Sequence, residues 1–512
     1  MAAATSRRIY AWLLAVCILV VAFSPPLYAA DPPAALQSRL EHAISRERSS
    51  GLRRALAKFY QLKSWALVWQ EPDLAQTARA TLAAATDQGL PVGQYLSAVN
   101  PGTPSDTDVQ LSAQLLRYAR DVSEGFARPS DAGLPARSLE AIAVRLAAAT
   151  HSSAELRQYL ATLPPDHAAY RTLKRAYARY RLLATQGGWP QLPAVRRISL
   201  SVPGPLLDQV RSRLACEYSS LRDANIETLR DAVRRFQSHV GLPADGIIGP
   251  KTISALNIEP RARAAQIAAN MERWRWMPRH FPARYIEVNT ASTFLQAIAH
   301  GVTVLQTRVI VGKAATPTTD FVTQALAIIV NPAWEVPHSI VQKEILPRLR
   351  RQPNYLSQNH MIMKNGSVKQ LPGADNALGR IKIDITDPFS IYIHDTPARA
   401  LFAQDQRHLS HGCIRVEKIL PLASWLLTGS LDEGTERLQT AIADGTTRRI
   451  ALSTPVTVYI VYQTATVGPD GTVDFVPDAY GLDGALISAL FGTHPLPGTT
   501  KGPASHGCRT AE

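Results

Sequence analysis

Ile391-Tyr392-Ile393-His394-Asp395-Thr396 is a short β-rich run that carries an imidazole. Nineteen positions beyond His394 stands Cys413, inside Ser410-His411-Gly412-Cys413-Ile414-Arg415-Val416. On a strand, alternation points Tyr392 and His394 to one face and Asp395 to the other. A free thiol, with a pKa of ~8.5, is mostly protonated at neutral pH, and the thiolate is the nucleophile. A neighbouring imidazole can take that proton. Gly412 permits a tight turn before the cysteine, and the backbone N–H groups of Gly412 and Cys413 can receive a developing oxyanion. Asp395 is next to His394 in sequence, but a backbone carbonyl is as good a group to orient the imidazole. The competing reading of Cys413 is a disulfide to Cys216 or Cys508, and that of His394 is a satisfied core histidine.

Working outward, the runs Tyr285 to Val288, Gln306 to Val311 and Ala327 to Val330 read as strands bounded by turn residues. Residues 338–375 carry Pro347, Pro353 and Pro372 and some helical pattern over 340–349, an insertion able to cover a cleft. Helical spacing is read over 414–428, and Val456 to Tyr462 is a further β-like stretch. Upstream, residues 32–195 repeat apolar positions at helical spacing, as in Leu111, Leu115, Leu116, Ala119 and in Tyr170, Leu173, Ala176, Tyr177, Tyr180. Gly187-Gly188-Trp189-Pro190 and the stretch to Pro205 read as a linker. In 206–258, Leu229, Val233, Phe236 and Val240 mark one helix face with Asn225 as N-cap. There Asp245-Gly246 supplies a turn and Pro250 opens a second helix.

Arg7 and Arg8 precede an uncharged apolar run from Ile9 to Phe23, broken by Pro25 and Pro26. This reads as a secretory signal peptide, since a span needs ~20 apolar residues. Leu27 or Tyr28 at the −3 position keeps retention as an anchor open. A chain of 512 residues with 46% hydrophobic and 19% charged residues excludes wholesale disorder and predicts several domains. The net charge of +14 suits an acidic partner without choosing among nucleic acid, anionic lipid and wall polymer. The four cysteines, at 17, 216, 413 and 508, include no CxxC pair, which argues against a thiol redox pair or a four-thiolate zinc site. No P-loop, dinucleotide glycine fingerprint, HExxH or GxSxG occurs, which removes support for nucleotide, zinc-protease and serine-hydrolase functions.

The string His394-x(16)-His411-Gly412-Cys413, with Ser410 before and Ile414-Arg415 after, resembles the YkuD-type catalytic domain of the L,D-transpeptidases. Arg308-Val309-Ile310-Val311-Gly312-Lys313, Thr316-Pro317, Asn331-Pro332-x-Trp334-x-Val336-Pro337 and Leu378-Gly379-Arg380 extend the resemblance. Ala232-Val233-x-x-Phe236-Gln237, followed by Asp245-Gly246-Ile247-Ile248-Gly249-Pro250-Lys251-Thr252, resembles a peptidoglycan-binding module. Together these resemble the long, multidomain L,D-transpeptidases of Gram-negative bacteria. The implied fold is multidomain α+β: a signal peptide at 1–30, a helical scaffold at 31–200, the binding module at 206–258, a mainly-β catalytic domain at 270–430 with its lid at 338–375, a C-terminal extension at 431–490 and a disordered tail at 491–512.

The resemblance implies that Cys413 attacks the diaminopimelate–D-alanine bond of a tetrapeptide stem and that His394 is base and then acid. It further implies oxyanion or substrate contacts from Tyr392, His411, Gly412, Arg415 and Ser410, transfer to a second stem as a 3→3 crosslink, and carbapenem acylation of Cys413. Hydrolysis of the same acyl-enzyme and a non-catalytic wall-binding scaffold are the alternatives. No metal or cofactor is implied. The partners would be donor and acceptor stem peptides and wall-synthesis enzymes, without nucleic acid, in the periplasm, with a membrane contact only through an uncleaved N-terminal segment. A second Ser505-His506-Gly507-Cys508-Arg509 reads as a decoy, because Ala489 stands nineteen positions before Cys508 and no apolar residue follows it.

Overall fold

A computed structural model describes residues 33–96, 102–129, 138–218, 226–386, 389–468 and 470–492. The signal segment, Asn225 and the second Ser-His-Gly-Cys copy lie outside the described residues. The N-terminal third is helical. In the helix Pro104–Glu124 the predicted face (Leu111, Leu115, Leu116, Ala119) is buried, and Thr103 with Asp106 closes a capping box at its start. Buried polar groups pin the bundle. The Asp108 carboxylate accepts from Tyr60 Oη at 2.6 Å and from the N–H groups of Val68 and Trp69 at 3.2 and 2.8 Å. Unlike an exposed pair, such a carboxylate is worth keeping only when every lone pair is satisfied.

The helix Pro260–Trp276 is buried on most sides and joins the parts. Its fully buried Glu272 pairs with Arg275 at 2.6 Å and also accepts the Ala127 N–H at 2.7 Å. Its Arg273 pairs with Asp483 at 2.5 Å, on the C-terminal helix Leu482–Phe491, whose Leu486 and Leu490 enter the core of the N-terminal bundle. The C-terminal segment therefore folds back onto the scaffold.

Helices Ile226–His239 and Pro250–Leu256 form the small module around Leu229, Val233, Phe236, Ile253 and Leu256. The Gln237 amide explains the Gln…Asp-Gly spacing: it donates to Asp245 Oδ1 and accepts from Gly246 N, each at 2.8 Å, stapling the turn. The stretch after Gly188 is not a free linker. Trp189 is buried beside Tyr180, while Leu192, Ile198 and Leu200 are buried in the module core, and Ile198 bridges Ile248.

The strands are β1 (Arg284–Asn289), β2 (Phe294–Ala299), β3 (Val302–Gly312), β4 (Phe321–Val330), β5 (Trp334–Glu335), β6 (Met361–Lys364), β7 (Ser367–Gln370), β8 (Ile381–Ile385), β9 (Ile393–His394), β10 (His408–Ser410), β11 (Ile414–Val416), β12 (Arg448–Val461), β13 (Ala465–Val467) and β14 (Val473–Phe475). Nine of them form one sheet in the order β10-β3-β11-β9-β8-β4-β12-β1-β2, and the β2–β3 pairing closes it on itself. Alternation fills its inside: Ile286, Val288, Leu295, Ala297, Val309, Ile328, Ile383, Ile393 and Ile414 share one core with the helices Ile419–Thr428 and Thr435–Ala443.

Two expectations are corrected. The helical pattern over 414–428 begins with a strand, because Ile414 and Arg415 pair with Ile393 and His394; the helix starts only at Ile419. The catalytic domain does not end at 430. β12 lies between β1 and β4, parallel to the first and antiparallel to the second, so the sheet is incomplete without residues 448–461. The insertion is a unit of its own, a three-stranded sheet (β5-β7-β6) with helical turns around Val336, Val341, Ile345 and Val368.

Candidate active site

β9 and β11 run parallel, with Ile414 opposite Ile393 and Arg415 opposite His394. The two isoleucines are fully buried in the sheet core, so the alternate positions face the other way. Tyr392, His394 and Arg415 thereby come to one face, and Cys413, immediately before β11, has its Sγ 4.0 Å from Ser390 O. The Ile414 N–H donates to Tyr392 O at 2.7 Å and fixes this register at the cysteine.

Cys413 is in no disulfide and is half-buried. Cys216 is disulfide-bonded. His394 is 4% exposed, and its Nδ1 meets the Asp395 carbonyl at 2.5 Å. That carbonyl can only accept, so Nδ1 carries the proton and Nε2 keeps its lone pair. Burial, followed by the nearby Arg415 charge, pushes the imidazole pKa down to about 3. The resting ring is neutral, the form a general base requires. The group that orients His394 is therefore a backbone carbonyl. The Asp395 carboxylate is used elsewhere, accepting the Arg380 N–H at 2.9 Å and Arg399 Nη1 at 3.0 Å. Gly379 completes this brace: at φ 64°, a Cβ there would stand 2.5 Å from the Asp395 side chain.

The turn that presents the cysteine is held from inside. Ser410 Oγ donates to Cys413 O at 2.6 Å and accepts the Gly412 N–H at 3.1 Å, and Gly412 sits at φ 121°. Ser410 is thus a buried brace rather than a surface for substrate, and the Gly412 N–H is committed to it rather than to an oxyanion. The Gly312 to Thr318 loop supports the turn from below. Thr318 Oγ1 accepts the Gly312 N–H and donates to Gly412 O at 2.7 Å, and Lys313 N donates to Ser410 O at 2.9 Å. Tyr480 Oη closes the same loop by donating to Gly312 O at 2.7 Å.

Arg415 is half-buried, its Nε has no partner among the described residues, and burial lowers its pKa, with the Cys413 charge acting against that. A guanidinium without a carboxylate at a nucleophile invites an anionic ligand. His411 is exposed and its Nε2 lies 2.8 Å from Oε1 of Glu344, which stands on the insertion. The insertion thus touches the motif itself. Tyr392 is capped by Lys382, whose Nζ stands 3.7 Å from the ring centre. Thr318, Lys382, Tyr480 and Glu344 were not singled out by sequence reasoning. Only folding brings them beside the motif, and no local spacing marks them.

Residues 283–458 match the family described as the L,D-transpeptidase catalytic domain, YkuD. The chain carries an L,D-transpeptidase catalytic domain. Residues 54–176 match a scaffold domain, and residues 209–256 match the family described as "Putative peptidoglycan binding domain". A Haemophilus influenzae protein named "Putative L,D-transpeptidase" is 33% identical over 239 residues, covering 43% of this chain and 48% of its own length. The chain thus spans about half the length of that relative. Two L,D-transpeptidase crystal structures are also similar. The one from Enterococcus faecium is 14% identical, covers 35% of this chain and 50% of its own, and has a TM-score of 0.20. The one from Xylanimonas cellulosilytica is 16% identical, covers 53% and 98%, and has a TM-score of 0.18.

Proposed function

We propose that the protein is a peptidoglycan L,D-transpeptidase acting outside the cytoplasm, in the periplasm of a Gram-negative cell. One observation carries this reading: a half-buried Cys413 outside any disulfide stands at the start of β11, which pairs with the strand of a buried, neutral His394 whose Nδ1 is held by the Asp395 carbonyl. Cys413 Sγ attacks the carbonyl carbon of diaminopimelate in a tetrapeptide donor, and its proton passes to His394 Nε2. The C–N bond to the terminal D-alanine breaks, and that proton leaves on the amine. The side-chain amine of a second stem then attacks the thioester, gives its proton to His394, and leaves as a 3→3 crosslink with the thiol restored. Arg415 holds a stem carboxylate, while Tyr392 and His411 border the reacting carbonyl. Gly412 and Ser410 shape the turn.

Hydrolysis is the second reading, since water can replace the amine at the same thioester. A lid that touches the motif favours transfer, because a cover that excludes water protects the acyl-enzyme. Among the described residues no helix is long and apolar enough to cross a membrane. Incubation with a disaccharide-tetrapeptide, followed by mass spectrometry, tests the function. Released D-alanine with tetrapeptide dimers supports transfer, and trimmed stems alone support hydrolysis. Binding to sacculi with neither product leaves only the wall-binding scaffold.

A further inference from the structure

A groove of about 920 Å³ lies away from Cys413, between the binding module and the outer face of the catalytic sheet. That volume is at the upper end of the ~300–1,000 Å³ usual for ligand clefts. Its floor follows from strand alternation. Ile286, Val288, Leu295 and Ala297 point into the core, so Tyr285, Glu287, Gln296 and Gln306 point out. Register aligns them: Glu287 is opposite Gln296, and Gln296 opposite Gln306. The result is a row of one carboxyl and two amides across three strands. None of these three side chains has a hydrogen-bond partner among the described residues. Burial alone pushes the Glu287 pKa up to about 7, so near neutrality this carboxyl can donate as well as accept.

The walls repeat the pattern. Among the described residues, Nε2 of Gln463, which is 3% exposed, has no partner, and the same holds for Nε of Arg407, which is 8% exposed. His408 Nδ1 and Trp274 Nε1 are also buried and unpartnered. His408 Nε2 meets Thr290 O at 2.9 Å, and burial lowers the pKa of its ring, so Nδ1 is an open acceptor. Buried polar groups are nearly always paired in native proteins, so four such atoms lining one groove mark a place that takes a polar ligand. The charged groups of the groove are largely engaged. Arg308 faces Glu417 at 3.6 Å, Arg407 Nη1 donates to Gln404 O, and Asp474 lies 4.0 Å from His239. Apart from Asp405, what remains on offer is mainly neutral: amides, a protonatable carboxyl and the Tyr285 ring.

We infer that this groove binds the glycan strand of the wall, a chain of N-acetylated hexosamines, between the binding module and the sheet. Acetamido and hydroxyl groups match the Glu287, Gln296, Gln306 row and the Gln463 amide, and sugar rings match Tyr285. The opposite wall comes from Ser238, Gly241, Leu242 and Pro243 of the module. The segment that borders the groove at 405–408 continues into 410–413, so a strand seated here brings its peptide stems toward the cysteine turn. The inference rests on the proposed function for its ligand class but adds a site outside the catalytic cleft.

Peptide-free glycan strands, prepared by amidase digestion of sacculi, are titrated into the full chain by calorimetry or NMR. Wild type should bind, and Gln296→Ala with Gln306→Ala should weaken binding by about tenfold. Glu287→Gln, which keeps donor and acceptor, should retain it. Thermal melting and acylation of Cys413 by a small electrophile check that the variants fold. Absent binding, unchanged binding in the double variant, or binding of free stem peptide in place of the glycan would overturn the groove. The readout needs no turnover. Glycan binding without transpeptidation would count against the proposed function and leave this site standing.

Discussion

The two histidines around the cysteine stand in opposite settings. His394 is locked on β9, 4% exposed, with its proton fixed by a main-chain carbonyl. His411, two residues before Cys413, is exposed and holds a half-buried Glu344 on an insertion with its own small core. One region is built on paired strands whose register admits no slippage, because a one-residue shift would turn Ile393 and Ile414 out of the core. The other is fastened by a single side-chain contact at the surface, of the kind worth ~0–1 kcal/mol. The difference separates two tasks. Chemistry needs groups held in place before substrate arrives, whereas a cover must open for a polymer to enter.

Substitutions on the rigid side should have the largest effects. Cys413→Ala is expected to abolish turnover and any covalent adduct, as seen by intact-protein mass spectrometry. His394→Ala should reduce kcat by about 10²–10⁴-fold, the usual worth of general acid–base catalysis. Its pKa gives a sharper test. The folded value of about 3 lies below the ordinary His value of ~6.5. The unfolded chain therefore binds a proton that the folded chain refuses, so stability falls as pH drops from ~6.5 toward 3. NMR should show no titration of His394 between pH 5 and 8; a midpoint near 6.5 would contradict the buried, neutral base.

Arg415→Met should come next, raising KM for a tetrapeptide donor by about tenfold, as for a lost charge-assisted hydrogen bond. Steady-state kinetics check it, and unchanged KM would remove the carboxylate contact. On the insertion side, Glu344→Gln should change KM and the ratio of hydrolysed to transferred product only a few-fold, since the contact is at the surface. Product ratios by liquid chromatography test this, and a collapse of activity comparable to His394→Ala would make the lid part of the chemistry. Smallest of all, Cys508→Ser should leave turnover intact in the same assay, as expected for a decoy copy.

Much of the site was legible because its parts are local. Alternation predicted that Tyr392 and His394 share a face and that Asp395 turns away, which left a backbone carbonyl as one of two candidates to orient the imidazole. The Gln237 and Asp245-Gly246 spacing marked the binding module for a similar reason, since one side chain closes one turn. What escaped was set by distance in sequence. β12 enters the centre of the sheet 159 positions after the end of β1, counting from Asn289 to Arg448, so a catalytic domain ending at 430 looked complete. Ser410 and Gly412 read as substrate contacts until folding showed them bonded to each other. Thr318 and Tyr480 hold the cysteine turn from loops that carry no periodic signal.

The most direct test is the intact mass of the protein after mixing with a tetrapeptide donor. The account predicts a transient adduct of the donor minus D-alanine, mapped to Cys413 and absent from Cys413→Ala. Turnover that persists in Cys413→Ala, or an adduct on any other residue, would contradict it.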